Sequence, residues 1–271
     1  MTSGVDTAFT GSVPQLYERY MVPLIFEPYA IDIAQRVAKA GPGQVLELAA
    51  GTGVVTRQLA QMLDASTSIV ATDLNPAMVE EAARIGTVRP VEWRQADAMK
   101  LPFDDASFDA VVCQFGAMFF PDRPPAYREA RRVLRPGGLF GFNAWGPIAN
   151  NEFAEAVTDA LAVLFPQDPP RFMARTPHGY HDATLIARDL AAAGFTSEPK
   201  IESVAFASRA ASPQIAAIAY CQGTPLRGEI EARDPGGLER ATQAAEAEIA
   251  RRFGAGPVEG RIEALVVTVS A

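Results

Sequence analysis

The chain has 271 residues, 48% hydrophobic and 21% charged, enough to bury the core of one large α/β domain without a disulfide or a structural metal. Its formal net charge of −8 argues against nucleic acid as the main ligand, because phosphate binding wants a basic face. The two cysteines, Cys113 and Cys221, stand far apart in apolar sequence with no Cys-x-x-Cys partner, so both read as small buried hydrophobes rather than a zinc or redox pair.

The N-terminal stretch MTSGVDTAFTGSVPQLYERY lacks a basic patch followed by an apolar run, so no signal peptide is expected. From residue 31 to residue 145, helical and strand-like patterns alternate. IDIAQRVAKA (31–40) is a helix ending on Gly41-Pro42-Gly43, and QVLELAA (44–50) is a buried strand running into a glycine turn. VVTRQLAQML (54–63) places Val55, Leu59, Met62 and Leu63 on one helical face, and SIVATD (68–73) is the next apolar strand. PAMVEEAARIG (76–86) is a helix with Pro76 in its first turn and Asn75 as its cap. VEWRQAD (91–97) and FDAVVCQFG (108–116) are strands. AYREARRVL (126–134) is an amphipathic helix broken by Arg135-Pro136-Gly137-Gly138, and LFGFNAWG (139–146) is a fifth strand. Strict alternation with short turns means βαβ units and a parallel sheet.

After residue 147 the rhythm changes. NEFAEAVTDALAVLF (151–165) reads as a helix, QDPPRFMARTPHGYH (167–181) as a loop, ATLIARDLAAAGF (183–195) as a helix and IESVAFAS (201–208) as a strand. Two further helices, 213–221 and 237–253, precede a final strand over 262–271. No stretch approaches the ~20 unbroken apolar residues of a membrane span. The expectation is therefore a cytoplasmic protein with no membrane partner, its oligomeric state open.

Three strand ends carry the chemistry. Val45-Leu46-Glu47-Leu48-Ala49-Ala50-Gly51-Thr52-Gly53 leaves a strand through glycines, where a ligand can touch the backbone and the following helix offers unpaired N–H groups. A dinucleotide and a nucleoside suit this turn equally. Asp73 ends the next strand, 20 residues beyond Gly53, and its carboxylate can accept both hydroxyls of a ribose. Asp97 ends the third strand, where it can accept from an adenine amine while Ala98 and Met99 pack on the ring.

With these residues in view, VLELAAGTG, ATDLNPAM, QADAMKLPFDDASFDAVVCQFGAMFF and EARRVLRPGG resemble, in order and spacing, class I S-adenosylmethionine (SAM)-dependent methyltransferases. The chain is similar to the methyltransferase type 11 group and its ubiquinone/menaquinone-biosynthesis enzymes, over residues 15–146. The resemblance implies a Rossmann-like, mostly parallel sheet of about seven strands with helices on both faces and a helical lid elaboration. It implies an N-terminal helical cover over 1–40, a SAM-binding core over 41–147, and remaining strands with a lid over the acceptor site in 148–271.

Carried over by position, Glu47, Ala49, Gly51 and Gly53 lie beside the methionine part of SAM. Asp73 holds the ribose, Leu74 and Met78 flank the adenine, Asp97 and Ala98 meet its edge, and Gln114 borders the methionyl group and the acceptor. Ala49-Ala50 stands where the family often has Gly-Cys, and the Ala49 methyl narrows the backbone approach. Tyr17 or Tyr20, in LYERYMVPLIFEPYA (16–30), is placed to close over the sulfonium.

Methyl transfer from a sulfonium needs orientation and exclusion of water more than a nucleophile. A base is needed for some acceptors; the candidates are His178, His181 and Tyr20, and no metal site is expected. Phe115, Phe119, Phe120, Trp145 and Phe172 are candidates to line an apolar pocket for a small-molecule acceptor. An NAD(P)-dependent oxidoreductase is the rival reading, weakened by the missing third glycine of the turn and the lack of a Tyr-x-x-x-Lys pair. A non-catalytic SAM-binding protein is the other.

Overall fold

A computed structural model describes residues 11–271. Seven strands form one sheet: β1 (Gln44–Glu47), β2 (Ser68–Asp73), β3 (Glu92–Gln95), β4 (Phe108–Gln114), β5 (Leu134–Trp145), β6 (Lys200–Ala210) and β7 (Val258–Ser270), in the order β3-β2-β1-β4-β5-β7-β6. The pairs β1/β2, β1/β4, β2/β3 and β4/β5 are all parallel, as the alternation of strands and helices requires. The Rossmann-like class is thus observed.

Contacts divide the chain into two compact units. One gathers the chain up to Phe26 with Trp145–Tyr180 and Val204–Ala264; the other gathers Glu27–Ala144, His181–Ser203 and Leu265–Ala271. Residues 1–10 of the expected N-terminal cover lie outside the described residues.

In the second unit the helices lie on both faces of the sheet. Alternation along β5 sends Phe140 and Phe142 to one side, where Tyr127 of the Arg123–Val133 helix meets both rings at 5.5 and 5.2 Å. On the other side a side chain at Gly141 would meet Ile33 of the Glu27–Ala40 helix at 4.0 Å. Val45, Leu46, Val111, Val112, Phe140 and Phe142 are all shut off from solvent, which is why these strands read as continuous apolar runs.

The ends of the strands near Gly43 are tied by one side chain. Asp109 accepts from the backbone N–H groups of Gly43 and Gln44, at 2.9 and 2.8 Å, and from Arg135 at 2.5 Å. Burial opposes its charge, but the Arg135 guanidinium and the two N–H groups hold the carboxyl below its usual range.

Several elements differ from the sequence expectation. The helix expected over 31–40 begins at Glu27, and before it Tyr17–Phe26 forms a π-helix that contains Pro23. Proline supplies no N–H to an ordinary helical ladder, and a widened turn accommodates the loss. Arg135–Gly138, expected as a break, lies within β5; the strand shifts register against β4 between Phe108 and Ala110. There Gly137 N–H donates to the Ala271 carbonyl and Ala271 N–H donates to the Gly138 carbonyl, so a turn-like sequence is held in the ladder. Within the expected loop, Phe172–Arg175 is a short helix, and Leu226–Arg233 is a helix that the pattern did not reveal.

Phe142 is fully buried between the Tyr127 and Phe140 rings. Phe142→Ala is expected to destabilise the protein by about 3–5 kcal/mol. Urea unfolding checks this, and a loss below about 1 kcal/mol would contradict the packing described.

Candidate functional site

The site residues of the second unit stand at the carboxyl ends of four parallel strands, where open α/β sheets bind ligands. Glu47 ends β1, Asp73 ends β2, Asp97 follows β3 and Gln114 ends β4. The tips are tied to one another. Ala50 N–H donates to the Thr72 carbonyl at 2.9 Å, the Thr72 hydroxyl to the Glu47 carbonyl at 2.8 Å, and Ala96 N–H to the Asp73 carbonyl at 3.0 Å.

Asp73 is 7% exposed. Its Oδ2 accepts from Gly51 N–H at 2.9 Å and its Oδ1 from Asn75 N–H at 2.8 Å, so the glycine turn after β1 is fastened to the tip of β2. An ionised carboxylate has about four lone-pair positions. The Gly51 and Asn75 N–H groups take two, and the Asn75 side chain and the Leu74 N–H also hydrogen-bond the carboxyl. Burial pushes the carboxyl up, against the hydrogen bonds from Asn75 and Gly51. Asn75 stands at the expected cap position of the Pro76–Ile85 helix but makes no side-chain capping hydrogen bond.

Glu47 is 1% exposed, and its Oε2 accepts from the Thr56 hydroxyl at 2.6 Å. Burial pushes its carboxyl up to about 8; Thr56 and Arg57 oppose the shift and Asp73 adds to it. Thr56 was not singled out from the sequence. A threonine in the first turn of the helix after the glycine loop, facing a strand-end acid, was the available signal.

The turn itself is tight. Gly53 has φ +86°, and a Cβ there would lie 2.8 Å from the Trp93 ring, so the position admits no side chain. Ala49 sits at φ +51°, the left-handed region that suits glycine, which accounts for the family's frequent glycine and makes this alanine a strained choice. A Cβ on Gly116 would come within 2.5 Å of the Ala49 Cβ, so the loop after β4 has room for the alanine only because residue 116 is glycine.

Around the adenine-side positions, Leu74 is 52% exposed and Met78 is buried. Gln95 Nε2 donates to the Leu74 carbonyl at 3.0 Å. Asp97 is exposed and its Oδ1 accepts from Met99 N–H at 2.8 Å, so part of its capacity shapes its own turn; Ala98 beside it is half-buried. This segment is anchored by Arg132, which donates to the carbonyls of Leu101 and Phe103 at 3.0 and 2.8 Å, while Glu129 accepts from Leu101 N–H at 2.8 Å. On β4, Gln114 is in register with Asn143 of β5, and Phe115 packs edge-on against Tyr29 at 5.2 Å.

The remaining candidates are placed as follows. His181 is an exposed residue of the same unit, and Phe119 and Phe120 are half-buried there. Tyr17, Tyr20, Trp145, Phe172 and His178 belong to the other unit. There Tyr17 stacks on Phe26 at 5.0 Å, the Arg19 guanidinium lies 5.1 Å from the Tyr20 ring, and Phe172 is buried. His178 is buried, with Nδ1 2.8 Å from the Gly146 carbonyl and its ring 6.0 Å from that of Trp145. A carbonyl only accepts, so that nitrogen carries the proton. Burial pushes the Cys113 thiol up to about 12, which removes it as a nucleophile. Among the described residues no group of three or more His, Cys, Asp and Glu is arranged to hold a metal ion, and no helix is long and apolar enough to cross a membrane.

Residues 46–142 match the family model described as a methyltransferase domain. The ubiquinone/menaquinone biosynthesis C-methyltransferase UbiE of Cronobacter sakazakii is 39% identical over 99 residues, covering 35% of this chain and 39% of the relative. The chain therefore matches well under half the length of that curated relative. Among solved structures, the phosphoethanolamine N-methyltransferase 2 of Haemonchus contortus, in complex with phosphomonomethylethanolamine and S-adenosylhomocysteine, has a TM-score of 0.61 at 14% identity, over 99% of this chain and 60% of that one. The YcgJ protein of Bacillus subtilis has a TM-score of 0.56 at 18% identity, over 90% of this chain and 98% of that one. At such identities the likeness carries the fold alone.

The Glu47 carboxyl sits at about 8 in the folded protein against an ordinary 4.5. The stability it contributes is fully present below the lower value and is lost as pH rises through the upper one. Relative to Glu47→Gln, the unliganded wild-type protein should lose stability progressively between pH 5 and pH 9. Urea unfolding of both proteins across that range is the measurement; a difference that does not change with pH contradicts the buried acid.

Proposed function

We propose that the protein, whose residues 46–142 match a methyltransferase domain model, is a SAM-dependent methyltransferase acting on a small-molecule acceptor by in-line displacement. The observation that carries this reading is the pair of buried carboxylates, Glu47 and Asp73, on either side of the glycine turn, both pushed above their ordinary range by burial. Such a site favours a cofactor with positive charge, which lowers both carboxyls and offsets their desolvation. SAM carries an ammonium and a sulfonium. A nicotinamide dinucleotide would bring the negative charge of its pyrophosphate to the same turn, and Gly51-Thr52-Gly53-Val54-Val55-Thr56 lacks the third glycine that such a ligand uses.

In this reading Asp73 takes the two ribose hydroxyls, and the turn through Ala49, Gly51 and Gly53 runs along the methionine part, with Glu47 facing its ammonium. Leu74 and Met78 bracket the adenine, Asp97 and Ala98 meet its edge, and Gln114 borders the methyl group. When bound, the cofactor supplies an already activated carbon. The residues of the chain therefore have to orient it and keep water away, and a nucleophile is not required.

The test has three arms. SAM, and not NADH, should raise the melting temperature of the protein; a ligand at 100 times its dissociation constant stabilises by about 2.7 kcal/mol. Asp73→Ala should weaken SAM at least tenfold (about 1.4 kcal/mol) by calorimetry, with the fold checked by circular dichroism. Unchanged affinity in the folded variant contradicts the ribose assignment. S-adenosylhomocysteine released only when an acceptor is added separates an enzyme from a passive binder.

A further inference from the structure

β3 stands at one edge of the sheet, and among the described residues β2 is its one neighbour in the strand order. The register sets Val70, Ala71, Thr72 and Asp73 beside Glu92, Trp93, Arg94 and Gln95, and Ala96 N–H donates to the Asp73 carbonyl at 3.0 Å. The main-chain groups of residues 92, 94 and 96 therefore face β2. Those groups alternate along a strand, so the N–H and carbonyl groups of Val91, Trp93 and Gln95 point outward, and among the described residues no main-chain hydrogen bond meets them. Such an edge is a template for another strand.

The side chains of β3 fall on two faces. The Trp93 ring is turned back onto its own chain, where a Cβ on Gly53 would lie 2.8 Å from its Cη2. Glu92 and Arg94 lie on the opposite face, exposed, and pair with each other at 2.5 Å, with the Arg94 guanidinium 5.0 Å from the Phe103 ring. Charges on an edge strand ordinarily keep a second copy away. The spacing here does the reverse. An antiparallel copy related by a two-fold axis at Trp93 brings its Arg94 opposite Glu92 and its Glu92 opposite Arg94. Each charge then has only opposite charges beside it, on its own strand and across. The same register makes Trp93/Trp93 and Val91/Gln95 the hydrogen-bonded pairs, as the outward groups require. It leaves the charged pairs at the non-hydrogen-bonded positions, where side chains approach more closely. An axis centred on Glu92 or on Arg94 sets like charges against each other, which is destabilising.

We propose that β3 is the contact of a homodimer, in which two copies of the chain join edge to edge and antiparallel about Trp93 and continue one sheet into the other. The main-chain bonds of Val91, Trp93 and Gln95 supply the adhesion, and the alternating charges fix the register. Because the second strand runs the opposite way, the candidate site residues of the two copies stand at opposite ends of the shared sheet.

Sedimentation equilibrium of the full chain is the test. A micromolar dissociation constant, in keeping with a small interface, puts the wild type largely in dimers at ~100 μM and in monomers at ~0.1 μM. Arg94→Glu sets acid against acid and Glu92→Arg sets base against base, so each should weaken the dimer at least tenfold. The double variant exchanges the charges and should regain the wild-type affinity within threefold. Both positions are exposed, and circular dichroism checks that each variant folds. Hydrogen exchange of the wild type is the second measurement and depends on no variant. The Val91, Trp93 and Gln95 amides should be protected at the higher concentration and exchange fast at the lower. A wild type that stays monomeric overturns the proposal, and so does equal exchange of these amides at both concentrations. A dimer that both single variants leave intact overturns it by placing the contact on another surface. A folded double variant that stays monomeric overturns it by denying the register.

Discussion

Two carboxylates held out of water at the ends of neighbouring parallel strands set the terms for the rest of the core unit. Desolvating an acid is costly unless hydrogen bonds or an opposite charge compensate. Asp73 obtains its compensation from hydrogen bonds that include the Gly51 and Asn75 N–H groups, and in doing so it draws the glycine turn of β1 onto β2. Glu47 has the Thr56 hydroxyl and the field of Arg57, which leave it well above the ordinary carboxyl range. The turn between them has little latitude. Trp93 presses on Gly53, and Gly116 gives way to the Ala49 methyl. The geometry of the strand tips and their charge are thus one problem with one solution.

The two ends of the sheet use carboxylates in opposite ways. At the Gly43 end, Asp109 has two amide N–H groups and a guanidinium, and its charge is secure. That arrangement binds β1, β4 and β5 together and leaves the acid little reason to seek a ligand. At the other end the acids are buried and incompletely matched, and buried polar side chains continue through Gln114 to Asn143. Stability is concentrated at one end of the strands and unsatisfied chemistry at the other.

The local patterns that the sequence carries explain what was legible in it. The apolar runs of β1, β2 and β4, the acid at 73 and the glycine turn are each written within a few residues, and each stands where the pattern placed it, whereas Asp97 lies two residues beyond the end of β3 rather than in it. Helices and strands defined by tertiary packing were less visible. Leu226–Arg233 carries a charged, weakly patterned sequence, and Arg135–Gly138 has the composition of a turn yet is kept in β5 by pairing with residue 271. The raised Glu47 carboxyl, the left-handed Ala49 and the orphaned Asn143 amide were invisible, since burial and backbone angle depend on residues far away in the chain. A lone asparagine in LFGFNAW was a hint of the last, but only burial shows that its amide goes unmet.

The strand order has a consequence for how the sheet is assembled. β7 lies between β5 and β6, although it follows both in the chain. Until it arrives, β6 has no neighbour on its inner side and β5 keeps one edge open. The β5/β7 ladder must therefore close over a sequence separation of more than one hundred residues, the kind of late, distant pairing that slows folding and exposes sticky edges meanwhile. Substitutions that weaken β7 should register first as poor yield and aggregation during refolding, well before the finished protein shows any loss of ligand affinity.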